Sequence, residues 1–524
     1  MIDETCIKSG SKLYYLDAVN GNDGFDGSKL KPFKTTAKAM LVLSGGDTVL
    51  MASGNYGVFA AAFSGTINQN WTQKPVDVFS DWVTFKALKN NTPVFDSLNI
   101  GTWRDENGND LPFSTKGNAN AYLVFDGVKV RDTVKIFGAR HIKIVNSAVS
   151  QGSPAVASAD QATCRELFKN TSYVDQCELV NNMQDACVTV YNGTDVTLEN
   201  NNISHCTFGI KGMTTDFKVL RNEIHNGTQD GISCHGGDNW LIEGNKIHDN
   251  DDGASDAEQS SGAKPYNMHV DGIHCFVIGG ATPENKYAYE HKNFTIRGNL
   301  IYHQEGQAII LSLNLATGVD SRGAAYQGYY HNFVVENNIF GPAGGTLLVL
   351  GNDFLEGFVL RHNTVLEVPN DAWTSIFGRA MTNDPAIHPY QFLWNYPSSS
   401  NPITANSTPE FIAAHYAMSA HYEVYNNIFV GKIILPSDFG LVANNLYKGT
   451  TSSTAANGDR TVTTMPYYSI TGTLNDYIVS GNTPGKLKSN DASAINAGIL
   501  GGTATDFLGM PRDSQPDIGA LEFR

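Results

Sequence analysis

Positive charge, cysteine and long apolar runs are all scarce in this chain of 524 residues. Lysine and arginine number 36 against 52 aspartates and glutamates, a net charge of −16. That balance excludes nucleic acid or an anionic membrane surface as the main partner, while leaving room for an anionic polymer gripped at a locally basic site. No stretch is apolar for long enough to span a bilayer. Seven cysteines are too few and too unevenly spaced for a disulfide scaffold. Cys234 and Cys275 fall at matching positions and are expected as stacked, reduced thiols. Long helical patterns and coiled-coil repeats are missing too, so nothing specifies an oligomer.

What is present is one phrase, written repeatedly: a bulky apolar residue, an aliphatic one two places on, then Asn, then usually another aliphatic. It reads Val196-Thr-Leu-Glu-Asn-Asn201-Asn-Ile203, Phe217-Lys-Val-Leu-Arg-Asn222-Glu-Ile224, Trp240-Leu-Ile-Glu-Gly-Asn245-Lys-Ile247, Phe294-Thr-Ile-Arg-Gly-Asn299-Leu-Ile301, Phe333-Val-Val-Glu-Asn-Asn338-Ile-Phe340 and Phe358-Val-Leu-Arg-His-Asn363-Thr-Val365. Each copy is a short alternating strand closed by a polar bend, and a strand that buries one face only can stack on its own copies. The expected fold is all-β, a single-stranded right-handed parallel β-helix. Stacked about 4.8 Å apart, the asparagines would form a column whose amides satisfy the bend backbone. Ahead of them stand Glu199, Arg221, Glu243, Arg297, Glu336 and Arg361, alternating in sign as neighbouring coils require.

The remaining chain divides simply. Residues 1–45 are expected to hold a strand, Asp/Gly turns and a short helix from Pro32 to Leu43 that caps the solenoid. The coils would occupy 46–450, opening with Gly46 to Tyr56 and including weaker repeats at Ile142 to Val149 and Val174 to Leu179. Insertions are expected at 249–292, 313–331 and 366–420 on one face. Residues 451–524 would close the coil stack, with strands at Asp506 to Arg512 and Asp517 to Glu522.

Asn20-Gly-Asn-Asp-Gly24, Lys31-Pro-Phe-Lys-Thr35, Gly46-Asp-Thr-Val49, Gly54-Asn-Tyr56 and Asp517-Ile-Gly-Ala520 resemble bacterial and phage proteins of the pectate-lyase-like right-handed β-helix superfamily. The resemblance spans most of the chain and implies the fold. It does not imply one reaction, because the superfamily includes polysaccharide lyases, glycoside hydrolases, uronate epimerases and phage tailspikes. It also implies a place outside the cell. The start Met1-Ile-Asp-Glu-Thr-Cys6 lacks the basic and apolar regions of a secretion signal, so either a removed signal or release in a virus particle would account for export.

The strand after each Asn phrase locates a candidate site. Phe208-Gly-Ile-Lys211, Asp230-Gly-Ile-Ser-Cys-His235, Asp271-Gly-Ile-His-Cys-Phe276, Gln307-Ala-Ile-Ile310 and Thr346-Leu-Leu-Val349 align on their aliphatic third residue. If that residue points inward, alternation sends Lys211, Asp230, Ser233, His235, Asp271 and His274 to the solvent face, with His269 and Gln307 alongside. Paired aspartates one strand spacing apart suit glycosidic hydrolysis, where two carboxyls work about 5 Å apart. His235 and His274 would move protons and Lys211 would orient substrate or serve as a base. No cofactor is required for that. Equally, the carboxylates could hold Ca2+ against a uronate while lysine or histidine abstracts its proton in β-elimination. His269, Asp271 and His274 could instead bind a transition metal, and Asp-Gly can be no more than a turn.

Asp251, Asp252 and Asp256, with Asp249 and Glu258, are candidate Ca2+ ligands. Trp373 and Trp394, beside His388, Tyr390, Phe392 and Tyr396, are candidate sugar platforms. The expected protein is thus an extracellular or virion-associated enzyme degrading a polysaccharide or oligosaccharide, with hydrolysis ahead of elimination. The alternative is a noncatalytic tailspike or carbohydrate-binding protein. A monomer is expected, or a trimer for a tailspike.

Overall fold

A computed structural model describes residues 10–61, 79–101, 119–151, 186–251, 270–276, 290–312, 329–344, 347–350, 355–368, 371–374, 380–382, 391–395, 422–433, 440–449 and 457–523, except 471, 490 and 503. The chain forms two compact units, one of residues 1–154 and 182–223, the other of 155–181 and 224–524. Among the described residues no helix is long and apolar enough to cross a membrane.

In the first unit, strands pair in parallel with strands one coil later. Leu13–Leu16 pairs with Thr48–Met51, which pairs with Val83–Ala87, which pairs with Ala119–Asp126. The first rung is therefore Leu13–Leu16, one coil earlier than expected at Gly46. The helix runs Thr36–Val42, with Thr35 accepting from the Lys38 N–H; Pro32 lies ahead of it and does not begin it. Asp23 accepts from the Lys34 and Thr35 N–H groups at 2.9 Å each and from the Thr35 hydroxyl at 2.8 Å. The Asn-Asp-Gly and Lys-Pro-Phe-Lys-Thr motifs are thus halves of one brace. Cys187 and Cys206 form a disulfide in this unit, a pairing missed in the sequence; Cys234 and Cys275 are buried thiols outside any disulfide, as expected.

The second unit shows why the phrase repeats. Trp240, Phe294, Phe333 and Phe358 occupy one register position on successive coils. Trp240 and Phe294 stack at 5.1 Å, Phe294 and Phe333 at 4.8 Å. This column contributes much of the buried apolar area that drives folding. At the bend, Asn245 Nδ2 donates to Asn299 Oδ1 at 2.9 Å, Asn299 to Asn338 at 3.0 Å, and Asn338 to Asn363 at 3.0 Å. The ladder continues beyond the expected positions through Asn427 and Asn445 to Asp459. In the first unit Asn201 and Asn222 bond likewise at 2.9 Å.

The residue before each rung adopts left-handed backbone: Asn200 at φ 54, Gly244 at 68, Gly298 at 62, Asn337 at 55, Asn426 at 56 and Asn444 at 51. Before Asn222 and Asn363 it is Arg221 at 52 and His362 at 54; asparagine and glycine hold the other places because they tolerate this backbone best. The sign alternation holds, with one register difference. Arg297 pairs with Glu243 at 3.0 Å and Arg361 with Glu336 at 2.7 Å. Arg221 sits one residue nearer its asparagine, since Glu199 lies opposite Leu220, yet its guanidinium still reaches Glu199.

Two expectations at the edges are corrected. The insertions begin later and end earlier, because Lys246–Asn250, Glu290–Arg297 and Tyr329–Glu336 are strands. The C-terminal segment also contains no closing strands at 506–512 or 517–522. It holds a helix, Leu474–Val479, and turns fixed through Gly519 N–H to Asn426 O at 2.8 Å and Ala520 N–H to Thr364 Oγ1 at 2.9 Å. Val174 to Leu179 lies outside the described residues.

Candidate functional site

The candidate site is built on three neighbouring strand starts in the second unit. Ile232, Ile273 and Ile309 share one register position, Ser233 faces His274, and Cys234 faces Cys275. Gly231 and Gly272 follow the two aspartates because there is no room for a side chain. A Cβ on Gly231 would meet Gly272 O at 2.8 Å, and one on Gly272 would meet Ala308 O at 2.6 Å. Neither glycine has a positive φ, so close coil packing, not an unusual turn, requires Asp-Gly at this place.

Each carboxylate divides its labour between two oxygens. Asp230 Oδ1 accepts the Asp271 N–H at 3.3 Å, and Asp271 Oδ1 accepts the Gln307 N–H at 2.7 Å. Both second oxygens turn towards His274, whose Nδ1 lies 3.4 Å from Asp230 Oδ2 and 3.6 Å from Asp271 Oδ2. All three side chains offer a ligand atom within 4.8 Å of one another. Asp271 Oδ2 is buried and has no hydrogen-bond partner among the described residues. Burial first, then the neighbouring Asp230 charge, pushes the Asp271 carboxyl up to about 7 against the pull of His274. Burial works against the His274 imidazolium, but Asp230 and then Asp271 hold it above its ordinary range.

The structure brings Asp230, Asp271 and His274 together but corrects their setting. They do not face open solvent: Asp230 is 2% exposed, Asp271 and Ser233 0%, and His235 4%. Ser233 Oγ and His235 Nε2 are 3.1 Å apart, and the His235 and His274 rings both pack on Phe276 with centroids 4.6 Å away. Lys211 belongs to the first unit, where it lies opposite Thr189 and its Nζ stands 4.6 Å from the Phe208 ring centre. Gln307 contributes its N–H to Asp271, while its buried Oε1 has no partner among the described residues.

His269, Asp252, Asp256, Glu258, His388, Tyr390 and Tyr396 lie outside the described residues. Trp373 and Trp394 lie on strands Ala372–Thr374 and Gln391–Asn395, Phe392 on the latter; their side chains are not among those described. Asp251 is buried, with its N–H donating to Gly227 O at 3.0 Å. Asp249, grouped in the sequence with the Ca2+ candidates, is instead bonded to imidazoles: His248 Nδ1 at 2.7 Å and His303 Nδ1 at 2.7 Å.

Sequence reasoning missed the second half of that chain. His303 Nε2 meets Asp371 Oδ2 at 2.8 Å, and Asp371 Oδ1 accepts the Leu474 N–H at 3.3 Å. His303 and Asp371 lie 68 residues apart and share no motif, so their pairing left no local signal. His291 was missed too. Its Nε2 bonds Cys234 O at 3.2 Å, and burial pushes its pKa down to about 4, leaving it neutral.

Comparison with known proteins bears on the fold. Residues 117–271 match the family described as right handed beta helix region. The described residues of this stretch form coils of a right-handed parallel β-helix. Residues 19–61 match a protein family of unknown function, DUF1565. No curated protein matches the sequence. Among solved structures, the β-helix is similar to pectate lyase Pel9A, at 15% identity and TM-score 0.45 over 99% of this chain and 98% of that one. It is similar to a rhamnogalacturonan lyase at 14% identity and TM-score 0.42 over 91% and 97%. It is also similar to a mutant tailspike of E. coli bacteriophage HK620 in complex with a pentasaccharide, at 10% identity and TM-score 0.37 over 80% and 71%.

Proposed function

We propose that this protein is a polysaccharide-degrading enzyme acting outside the cell, with Asp230, Asp271 and His274 at the reacting centre. The observation that supports this is the division of each carboxylate. One oxygen of Asp230 and of Asp271 is committed to backbone N–H groups, while the other converges with the His274 imidazole. An Asp-Gly that served only as a turn would have no reason to collect a buried imidazole and a second carboxylate.

Hydrolysis suits this arrangement better than elimination. Two carboxyls this close fit the short separation of retaining glycosidases, about 5–5.5 Å. Asp271 would donate its proton to the leaving glycosidic oxygen while Asp230 attacks the anomeric carbon. Water then releases the sugar from Asp230 and returns a proton to Asp271, with His274 balancing the charge. In elimination, His274 would abstract a proton next to a uronate carboxylate. The burial of both aspartates favours one further reading, a glycan-binding protein that does not cleave.

A glycan panel separates the three. Hydrolysis yields new reducing ends without ultraviolet absorbance, elimination yields unsaturated products that absorb in the ultraviolet, and a pure binder yields neither. Asp271→Asn keeps an acceptor for the Gln307 N–H, and it is expected to lower kcat about 10²- to 10⁴-fold. Full activity in Asp271→Asn and His274→Ala would remove the assignment.

A further inference from the structure

We infer that Asp230 Oδ2, Asp271 Oδ2 and His274 Nδ1 form a binding site for a divalent transition-metal ion of the zinc or cobalt type. The spacing of the three atoms carries this inference. Elsewhere in the same chain, imidazoles that pair directly with carboxylates do so at 2.7–2.8 Å: His141 with Asp195, His248 with Asp249, and His303 with Asp249 and Asp371. Those are the lengths of charge-assisted hydrogen bonds. His274 Nδ1 instead stands 3.4 and 3.6 Å from two carboxylate oxygens at once. It is paired with both and drawn to the shorter length by neither.

Separations of that size are what ligands adopt around a small cation. With metal–ligand bonds of about 2.1 Å, the edge of a tetrahedron is about 3.4 Å. The third separation, between the carboxylates, falls within the 4.8 Å that bounds the group. The two Oδ1 atoms already brace backbone N–H groups, so both ligand carboxylates are oriented from behind, as metal ligands commonly are. A second, independent observation points to a ligand. Asp271 is 0% exposed, yet its Oδ2, the oxygen facing His274, has no hydrogen-bond partner among the described residues.

The donor set indicates which cation. One imidazole nitrogen and two single carboxylate oxygens suit borderline ions such as Zn2+ or Co2+. Ca2+ takes six to eight oxygens at longer distance, and the committed Oδ1 atoms do not supply them. The fourth position would stay open to water or to a substrate oxygen.

This inference goes beyond the cleavage reading and does not depend on it. A metal on Asp271 Oδ2 and a transferable proton on the same atom exclude one another. Cleavage through Asp271 is therefore expected of the chelated protein, and saturating Zn2+ should suppress it.

The test uses the full chain, stripped with a chelator and titrated with Co2+ while visible absorption is followed. The expected result is one Co2+ per chain with the intense visible bands of a low-coordinate N/O site, displaced by equimolar Zn2+ and not by equimolar Ca2+. Asp271→Asn and His274→Gln, checked for native circular dichroism, should weaken uptake about 100-fold or more. No one-to-one uptake by the wild type, unchanged uptake in both variants, or displacement by Ca2+ overturns the site. Uptake as described by a chelated protein that cleaves no glycan would remove the cleavage reading and leave this one standing. Cleavage abolished by Asp271→Asn in a wild type that takes up no Co2+ would do the reverse.

Discussion

Single residues carry two kinds of chemistry in this chain, and only one was visible in the sequence. Asp230, Asp271 and His274 were legible because they fall at fixed offsets from an aligned isoleucine, so register alone predicted their meeting. The burial of the aspartates was there to be read and was misjudged, since Asp230 and Asp271 stand two places before the inward Ile232 and Ile273 and alternation sets them on the same side. His303 was missed for another reason: Asp249 stands 54 residues before it, the spacing of the Asn245–Asn299 rung, and was there to be read, whereas Asp371 shares no spacing with it.

That imidazole makes a clear prediction. His303 is 0% exposed and bonded at both nitrogens to carboxylates. Around it stand Asp249, Asp371, the stacked His248–Tyr302 pair and Asn475. Burial opposes its charge, yet the bonds to Asp249 and Asp371 hold it above its ordinary value. The sign follows directly. A raised histidine lends its full stability below about pH 6.5, its unfolded value, and loses it as pH climbs through the native one. Burial opposes the Asp249 charge too, but His248 and His303 hold that carboxyl well below the usual range. Its share is therefore present above about pH 3.9 and lost only in stronger acid. Denaturant unfolding from pH 6 to pH 9, about the range in question, should show stability falling on the alkaline side. His303→Ala should flatten that slope and cost about 3–5 kcal/mol, because it leaves Asp371 buried without its cation. A variant with the wild-type slope would dismiss the bridge as a stabilising element.

At the scale of the element, the repeated phrase disclosed the fold because three requirements coincide in eight residues. An inward aromatic stacks on its copy, an asparagine bonds its copy, and a left-handed residue turns the chain between strands. Most copies of the phrase were found. Tyr422-Glu-Val-Tyr-Asn-Asn427 carries it whole, with Tyr422 packed against Phe358, and Val442-Ala-Asn-Asn445-Leu carries its bend; both were passed over although the Asn-Asn pair was there to be read. The Leu474–Val479 helix was missed because six residues give too short a window for helical periodicity. The Cys187–Cys206 disulfide was missed because cysteine count predicts scaffolds, not a single clasp across one coil.

The ladder can be tested by breaking one rung. Asn338 Oδ1 accepts from both the backbone N–H and the Nδ2 of Asn299, at 3.0 Å each, and its own Nδ2 donates to Ile296 O at 2.9 Å. Asn338→Ala would strand these buried groups at about 1–3 kcal/mol apiece. The midpoint of chemical denaturation should fall accordingly. Asn338→Asp, which keeps the acceptor but turns a carboxylate oxygen onto the Ile296 and Asn363 oxygens, should cost more at neutral pH than in acid, where its protonated oxygen can donate. Losses indifferent to pH, with a negligible cost in Asn338→Ala, would mean that the column fills space instead of bonding.

For the whole molecule the decisive quantity is charge. At −16, the protein repels an anionic polymer that comes within the Debye length, about 10 Å at 0.1 M salt. The candidate centre adds to this, since two carboxylates and a single imidazole leave it no net positive charge with which to attract a uronate. A neutral glycan meets no such barrier. If the substrate is neutral, kcat/KM should hold within about twofold from low salt to about 0.5 M, where the Debye length shrinks to a few ångströms. A uronate polymer would instead be cleaved faster as salt rises, because screening removes a repulsion that slows encounter. A steep rise with salt, together with unsaturated products, would transfer the site to elimination chemistry. Flat salt dependence with plain reducing ends would keep Asp271 as the acid that protonates the departing sugar oxygen.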